Sequence, residues 1–405
     1  MIKSLTFSSF KAIEKLMIEF EPFTVLIGDN SSGKSTVLQA LDFIRAFAVR
    51  DIDEYLNERG WLLDDLISHF GIHNIGFAVE LELVINEKPQ LINWVIAVNN
   101  VKGRIMSIEK MINESNDTVV LSRGETRPDT PERAGSLFLN SSFLKLIDEN
   151  NPSSEFPAEL YAVKKFFAQS SSYELLAPDR MREKGSRGEA RDIGLGGEKL
   201  AAYISRLSDD KKNKLNETLS ELVGYAIETS TETKKPGWVD LFFSESFAET
   251  KTKIKATHIS DGILRLLALI ATSLPDEEKP YTQTSLTKNE VIIPDSGFLL
   301  LDEIEDGINP YLIGKVISML RTLISDANKQ VIVTTHSPVM VNHFDPNEIV
   351  FMLRNGKGQI ESKKMFESEE MQDTLDCFNP GEVWLNYSKD EIIGMMNSSK
   401  MEEYA

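Results

Sequence analysis

Gly28-Asp29-Asn30-Ser31-Ser32-Gly33-Lys34-Ser35 fits the pattern G-x-x-x-x-G-K-[ST]. The residues before it, 23–27, form a short apolar run that predicts a strand. Those after it, 35–49, carry apolar residues at helical spacing and predict a helix. This strand, turn and helix context is the one the pattern requires. Glycines at the two ends let backbone N–H groups wrap tetrahedral phosphates, and the helix start adds the positive end of its dipole. Gly28, Asn30, Ser31, Ser32, Gly33 and Thr36 then line the phosphates of a nucleotide, Lys34 reaches the β and γ groups, and Ser35 holds Mg²⁺. The alternative reading is a plain Gly/Ser turn.

Two further strands precede the loop, at 2–7 and 14–20, and two follow the helix, at 75–85 and 91–98, joined as a hairpin through Asn86-Glu87-Lys88-Pro89. From 113 to 157 the composition shifts to Asn, Ser, Glu, Asp and Pro, with one short apolar helix candidate at 137–147, which predicts an insertion or arm. A basic loop with Arg180, Arg182, Lys184, Arg187 and Arg191 precedes a helix predicted over 198–225. Lys251, Lys253 and Lys255 alternate, so they share one face of a strand. From 262 onward helices and strands alternate, as in a sheet covered by helices. The expected division is an amino-terminal lobe 1–112, an insertion 113–172, a second lobe 173–355 and a carboxy-terminal extension 356–405.

Two strand ends in the second lobe carry chemistry. Phe298-Leu299-Leu300-Leu301-Asp302-Glu303 is an apolar strand ending in two carboxylates, the Walker B arrangement of a nucleotide hydrolase, with Asp302 on Mg²⁺ and Glu303 orienting or deprotonating the attacking water. Glu305 and Asp306 crowd the same turn, where four acids make sense beside a cation. Val331-Ile332-Val333-Thr334-Thr335-His336-Ser337-Pro338 is the other, and it sets His336 within reach of a γ-phosphate. His69 and His73 have ligand-like spacing, but no cysteine or nearby acid completes a metal set.

Ile259-Ser260-Asp261-Gly262-Ile263-Leu264-Arg265 opens an apolar helix, and taken alone it reads as an ordinary helix cap. With this turn in place the order of motifs resembles the ABC-type ATPase head shared by the SMC, RecF and overcoming-lysogeny-defect (OLD) families. The resemblance covers residues 1 to about 355. It implies an α/β P-loop NTPase fold with a mixed sheet, a central helical insertion and a short carboxy-terminal extension, and it implies ATP hydrolysis with Mg²⁺. It also implies an ATP-sandwich homodimer in which Ser260 and Gly262 cap the γ-phosphate of ATP held by the loop of a second subunit. The turn 305–310 resembles the Pro-Glu-x-Gly-Leu-His-Pro turn of this group, with Ile304 in place of the first proline and Asn309 in place of the histidine. Ala177-Pro178-Asp179-Arg180 and Gly194-Leu195-Gly196-Gly197-Glu198-Lys199-Leu200 resemble short RecF- and OLD-like ATPases encoded beside a nuclease or toxin partner.

Departures from the pattern narrow the relatives. The middle region has neither the length nor the heptads of an SMC coiled coil. Only about fifty residues follow the last predicted strand, too few for the TOPRIM nuclease of an OLD protein. The signature turn also lacks the second glycine and the glutamine of a transporter ATPase.

With 44 Lys+Arg against 63 Asp+Glu the net charge is −19, so no global attraction draws the chain to phosphate backbones or anionic lipid. The 41% apolar and 26% charged content is that of a folded globular protein. Cys377 is the single cysteine and reads as a small apolar filler in a reducing compartment. No signal peptide or apolar run near eighteen residues is present, so the expectation is a cytoplasmic chain with no membrane partner. The expected function is a dimeric ATP switch that regulates a separately encoded effector, a nuclease or toxin, in bacterial anti-phage defence. The rival is a RecF-like DNA clamp in repair, its footprint being Arg180, Arg182, Arg187 and Arg191 with the lysine face. The tail, with Glu367, Glu369, Glu370 and Asp373 followed by the aromatic stretch Phe378 to Leu385, reads as helix surface folding back, with a docking segment for a partner as the alternative.

Overall fold

A computed structural model of the chain describes residues 1–68, 74–101, 104–123, 140–148, 156–173, 177–186, 192–234, 237–247, 250–274, 283–286 and 289–398. Strand Phe23–Gly28, which leads into the glycine loop, lies at the centre of a six-stranded mixed sheet. Its neighbours are Lys329–Thr334 and Ile349–Arg354, both parallel to it. Gly297–Leu301 pairs in parallel with Lys329–Thr334 and, on its other side, with Ser171–Tyr173. Ile360–Lys364 closes the opposite edge antiparallel.

This sheet is buried on both faces, and that explains its nearly unbroken apolar strands. Leu26, Phe298, Leu300, Ile332 and Met352 enter one core, while Val25, Ile27, Leu299, Leu301 and Val333 enter the other. Helix Lys34–Val49 fills the first core with Val37, Leu38, Leu41, Ile44 and Phe47, which recur at helical spacing. Over it lies a second six-stranded sheet, all antiparallel, in the order Ile13–Glu19, Ile2–Phe10, Asn74–Ile85, Lys88–Val101, Arg104–Asn113, Thr118–Arg123. Helices Asp261–Ser273 and Pro310–Ala327 fill the second core.

Several expectations change. The hairpin turn is only Asn86-Glu87, both at positive φ, because Lys88 already pairs with Ile85 and Pro89 with Val84. The helix expected over 198–225 is two, Leu200–Arg206 and Asp209–Val223. Leu207 turns extended, and the Ser208 side chain accepts the Lys211 N–H to start the second helix. The described parts of 113–172 belong to the head, where the composition predicted an arm: Thr118–Arg123 extends the antiparallel sheet, and helix Ala158–Ala168 buries Leu160, Val163, Phe166 and Phe167 in the first core. Of the helix candidate at 137–147, the described residues form one 3₁₀ turn, Phe143–Leu146.

The residues after 355 also fold back. Met365, Phe366, Met371, Val383 and Ile392 are buried in the second core. Cys377 is exposed at the end of a 3₁₀ turn and fills no core space. Among the described residues no helix is long and apolar enough to cross a membrane.

Candidate functional site

The loop 28–35 is shaped by backbone conformations that only small residues tolerate. Gly28 has φ +136°, and a Cβ there would lie 2.1 Å from the Met352 carbonyl oxygen. Gly33 has φ +95° and caps the following helix with no side-chain bond, so the helix start is left open to an external acceptor. Asn30 and Ser31 are exposed, Ser32 is buried, and Ser35 and Thr36 are partly exposed on the first turn.

Lys34 is buried and spans the loop, donating to the carbonyls of Gly28 (2.9 Å) and Asp29 (3.0 Å). Burial lowers its pKa, against the pull of Asp302, Glu303, Asp29 and Glu305. Of these four carboxylates Asp29 also meets a second ammonium, Lys389 from the carboxy-terminal extension, at 3.3 Å.

Ser35 Oγ donates to Asp302 Oδ1 at 3.2 Å, joining the start of the helix to the end of strand Gly297–Leu301. The Asp302 N–H donates to the Tyr173 carbonyl at 3.2 Å. Glu303 follows at φ +47°, a left-handed conformation uncommon for a side chain of its size, and its N–H donates to Thr334 Oγ1 at 2.9 Å. Its pKa is raised by partial burial and by Asp302, with His336 opposing. His336 Nε2 lies 3.5 Å from Glu303 Oε1, and the His336 N–H donates to Glu305 Oε1 at 2.7 Å.

Thr334, which the sequence reading passed over, binds both acids: its hydroxyl bonds Asp302 Oδ1 and accepts from Glu303. The only signal for it was a threonine ending a run of β-branched residues one strand beyond the acids. Asp302, Glu303, His336, Lys34 and Ser35 therefore form one connected cluster at three neighbouring strand ends.

Ser260 and Gly262 stand apart from it. No hydrogen bond or ion pair joins either to residues 28–36 among the described residues. Gly262 packs against the acidic turn, where a Cβ would lie 2.4 Å from the Gly307 carbonyl oxygen. Ser260 precedes helix Asp261–Ser273 but makes no capping hydrogen bond, unlike the ordinary cap its sequence allowed. Of the two departures in the acidic turn, Ile304 is buried in the second core, and the Asn309 side chain accepts the Tyr311 N–H at 3.1 Å to start the next helix.

Three cations of the basic footprint meet carboxylates, and a fourth, Arg180, is exposed. Lys253 pairs with Glu232, Lys255 lies 3.8 Å from Asp240, and Arg182 pairs with Asp179 and Asp261. Arg187, Arg191, His69 and His73 lie outside the described residues, as does the side chain of Lys251.

Comparison with known proteins bears on the family and the fold. The family described as "AAA domain, putative AbiEii toxin, Type IV TA system" matches residues 119–342, and the family described as "AAA ATPase domain" matches residues 1–189. No curated protein matches the sequence. Among solved structures, an SMC head bound to the C-winged helix domain of ScpA superposes with a TM-score of 0.50 at 18% identity, covering 89% of this chain and 96% of that one. The SMC head domain from Thermotoga maritima gives 0.40 at 14% identity, covering 89% and 98%. The mixed parallel sheet, the glycine loop and the paired acids are those of a P-loop ATPase head with the ABC-type fold, and the chain belongs to the family described as "AAA domain, putative AbiEii toxin, Type IV TA system".

Proposed function

We propose that this ATPase works as a dimeric switch that ATP closes and hydrolysis reopens, and that it regulates a separately encoded effector, a nuclease or toxin, in bacterial anti-phage defence. One observation carries the hydrolytic part: Lys34, Ser35, Asp302, Glu303 and His336 are brought to a single cluster, with Ser35 Oγ 3.2 Å from Asp302 Oδ1 and His336 3.5 Å from Glu303.

In this reading the N–H groups of residues 28–36 wrap the phosphates of ATP, and Lys34 leaves its two loop carbonyls for the β and γ oxygens. Ser35 and Asp302 offer adjacent hard oxygen donors that fit Mg²⁺. Among the described residues no group of three or more His, Cys, Asp or Glu could hold a metal, so the remaining positions fall to phosphate and water oxygens. The ion would neutralise phosphate charge. Glu303, its pKa raised, takes the proton of the attacking water, and His336 contacts the γ-phosphate.

The dimer is supported by the place of the Ser260 turn. It binds nothing in its own loop, and its helix start is free of a side-chain cap, so it suits a phosphate carried by a second copy. A place in a toxin–antitoxin type of system is supported by the family description, which names a putative AbiEii toxin of a type IV system. The DNA-clamp reading loses part of its support, because Arg182, Lys253 and Lys255 face carboxylates, while Arg180 stays exposed.

The test is to purify the Glu303→Gln form from its source cells with ATP and Mg²⁺ and identify what stays bound. A stoichiometric nuclease or toxin-like protein supports the switch. DNA without a protein partner favours the repair clamp.

A further inference from the structure

Arg182 follows the short helix Pro178–Met181, in the basic loop that the sequence singled out. Its Nη2 donates to the Ile259 carbonyl at 2.8 Å and contacts Asp261 Oδ1 at 2.5 Å, while Nη1 reaches Asp179 Oδ1 at 3.0 Å. Ile259 and Asp261 are the two neighbours of Ser260. A single guanidinium therefore grips the turn on both sides of the serine and leaves the serine hydroxyl without a capping bond. The opposite side of the turn is fixed as well: Gly262 lies against the Gly307 carbonyl, and Arg265 Nη1 donates to the Asp306 carbonyl at 2.7 Å.

The charge at this point matters as much as the shape. Asp261 is the first residue of its helix and is 60% exposed. A carboxylate there opposes any phosphate approaching the helix start, cancelling part of what the dipole and the free N–H groups offer. An ion pair this open contributes little to fold stability. Its consequence is local: Arg182 sets a positive charge directly against Asp261, although it shares that charge with the exposed Asp179.

We infer that Arg182 is a positioning residue for ATP hydrolysis: it sets the Ser260 turn in the geometry that meets the γ-phosphate and sets its positive charge against Asp261 beside it. This rests on the reading, proposed above, that the turn completes the site of a second copy. Lysine is no substitute, because an ammonium is a point charge without the planar fork that bridges a carbonyl and a carboxylate.

The test compares full-length Arg182→Gln, Arg182→Lys, Arg182→Gln/Asp261→Asn and Ser260→Arg. A fluorescent ATP analogue reports nucleotide affinity of the dilute protein, and ATP turnover is followed against protein concentration. Arg182→Gln keeps analogue affinity within about twofold, since the glycine loop is untouched, while kcat falls about tenfold and half-maximal activity needs more protein. Removing the stranded acid in the double variant recovers about threefold of that loss, and Arg182→Lys falls about threefold below wild type. Wild-type kcat and concentration dependence in Arg182→Gln, with Ser260→Arg inactive, overturn the inference alone. Wild-type turnover in Ser260→Arg overturns the reading of the turn, and the inference with it. If Arg182→Gln melts without a cooperative transition, Arg182→Lys decides: a kcat within twofold of wild type overturns the role.

Discussion

Glu303 occupies a left-handed backbone position held by Thr334, a conformation kept only where the surroundings over-determine it. Glu303→Gln keeps this geometry but removes the base. The expected outcome is normal ATP binding, turnover lower by about 10²-fold or more, and accumulation of dimer on size exclusion with ATP. Equal turnover in wild type and Glu303→Gln would refute the role. Lys34→Ala is expected to abolish nucleotide binding in a filter or calorimetric assay.

Away from the site, Asp42 is fully buried and paired with Arg45 and Arg59. Burial alone would raise its pKa, yet Arg45 and Arg59 together hold it below the usual carboxylate range. Asp42→Ala, which strands buried guanidinium charge, is expected to cost about 3–5 kcal/mol. A depressed carboxylate contributes stability that is complete above its unfolded pKa of about 4 and is lost as pH falls through its lower folded value. The gap in melting temperature between wild type and Asp42→Ala should therefore narrow only in acid.

At the scale of elements, the strands of the central sheet were legible because both their faces are buried, which leaves continuous apolar runs such as Phe298-Leu299-Leu300-Leu301 ending at visible acids. The glycine loop was legible because phosphate geometry fixes its spacing. Long-range partners were not. Nothing local to Arg182 points to Ile259, 77 residues away, and nothing in Thr334 points to Asp302, 32 residues away. The split of the 198–225 helix was missed because Leu207-Ser208 sits inside an otherwise periodic pattern, and a Ser208 cap is told from an ordinary helical serine only by its accepted N–H.

The hairpin Asn74–Ile85/Lys88–Val101 offers a test at this scale. Its two-residue turn needs positive φ at both positions, and Glu87 meets that at φ +63° with a side chain that dislikes it. Glu87→Gly is expected to stabilise the protein by about 0.5–1 kcal/mol, read as a higher melting temperature with unchanged ATPase activity.

Across the whole molecule, the described residues after 355 pack into the second core. Val383, Ile392 and Met371 are buried, and Gly381 donates to Asn342 Oδ1 at 2.7 Å beside the helix that follows His336. Deleting 379–405 is therefore expected to lower the melting temperature markedly and to depress ATPase activity through loss of fold. A truncated protein that melts like the full chain and has lost only effector capture would show instead that the segment serves docking. The acidic-then-aromatic pattern left a docking segment open as the alternative because the burial of its apolar residues is decided by helices far earlier in the chain.

Strand Phe23–Gly28 is flanked on one side by Lys329–Thr334 and on the other by Ile349–Arg354, with Phe23 opposite Val331 and Val25 opposite Ile349. The strand that aims the phosphate loop is thus made early in synthesis but has no neighbours of its own until more than three hundred further residues have followed. Pairings of such long range form late and slowly. A growing chain on the ribosome carries a complete loop motif, yet the motif has no sheet to stand on until residue 354 has emerged. Chains that end before Lys329 are therefore expected not to bind ATP, because the strand that aims their phosphate loop has neither of its sheet neighbours.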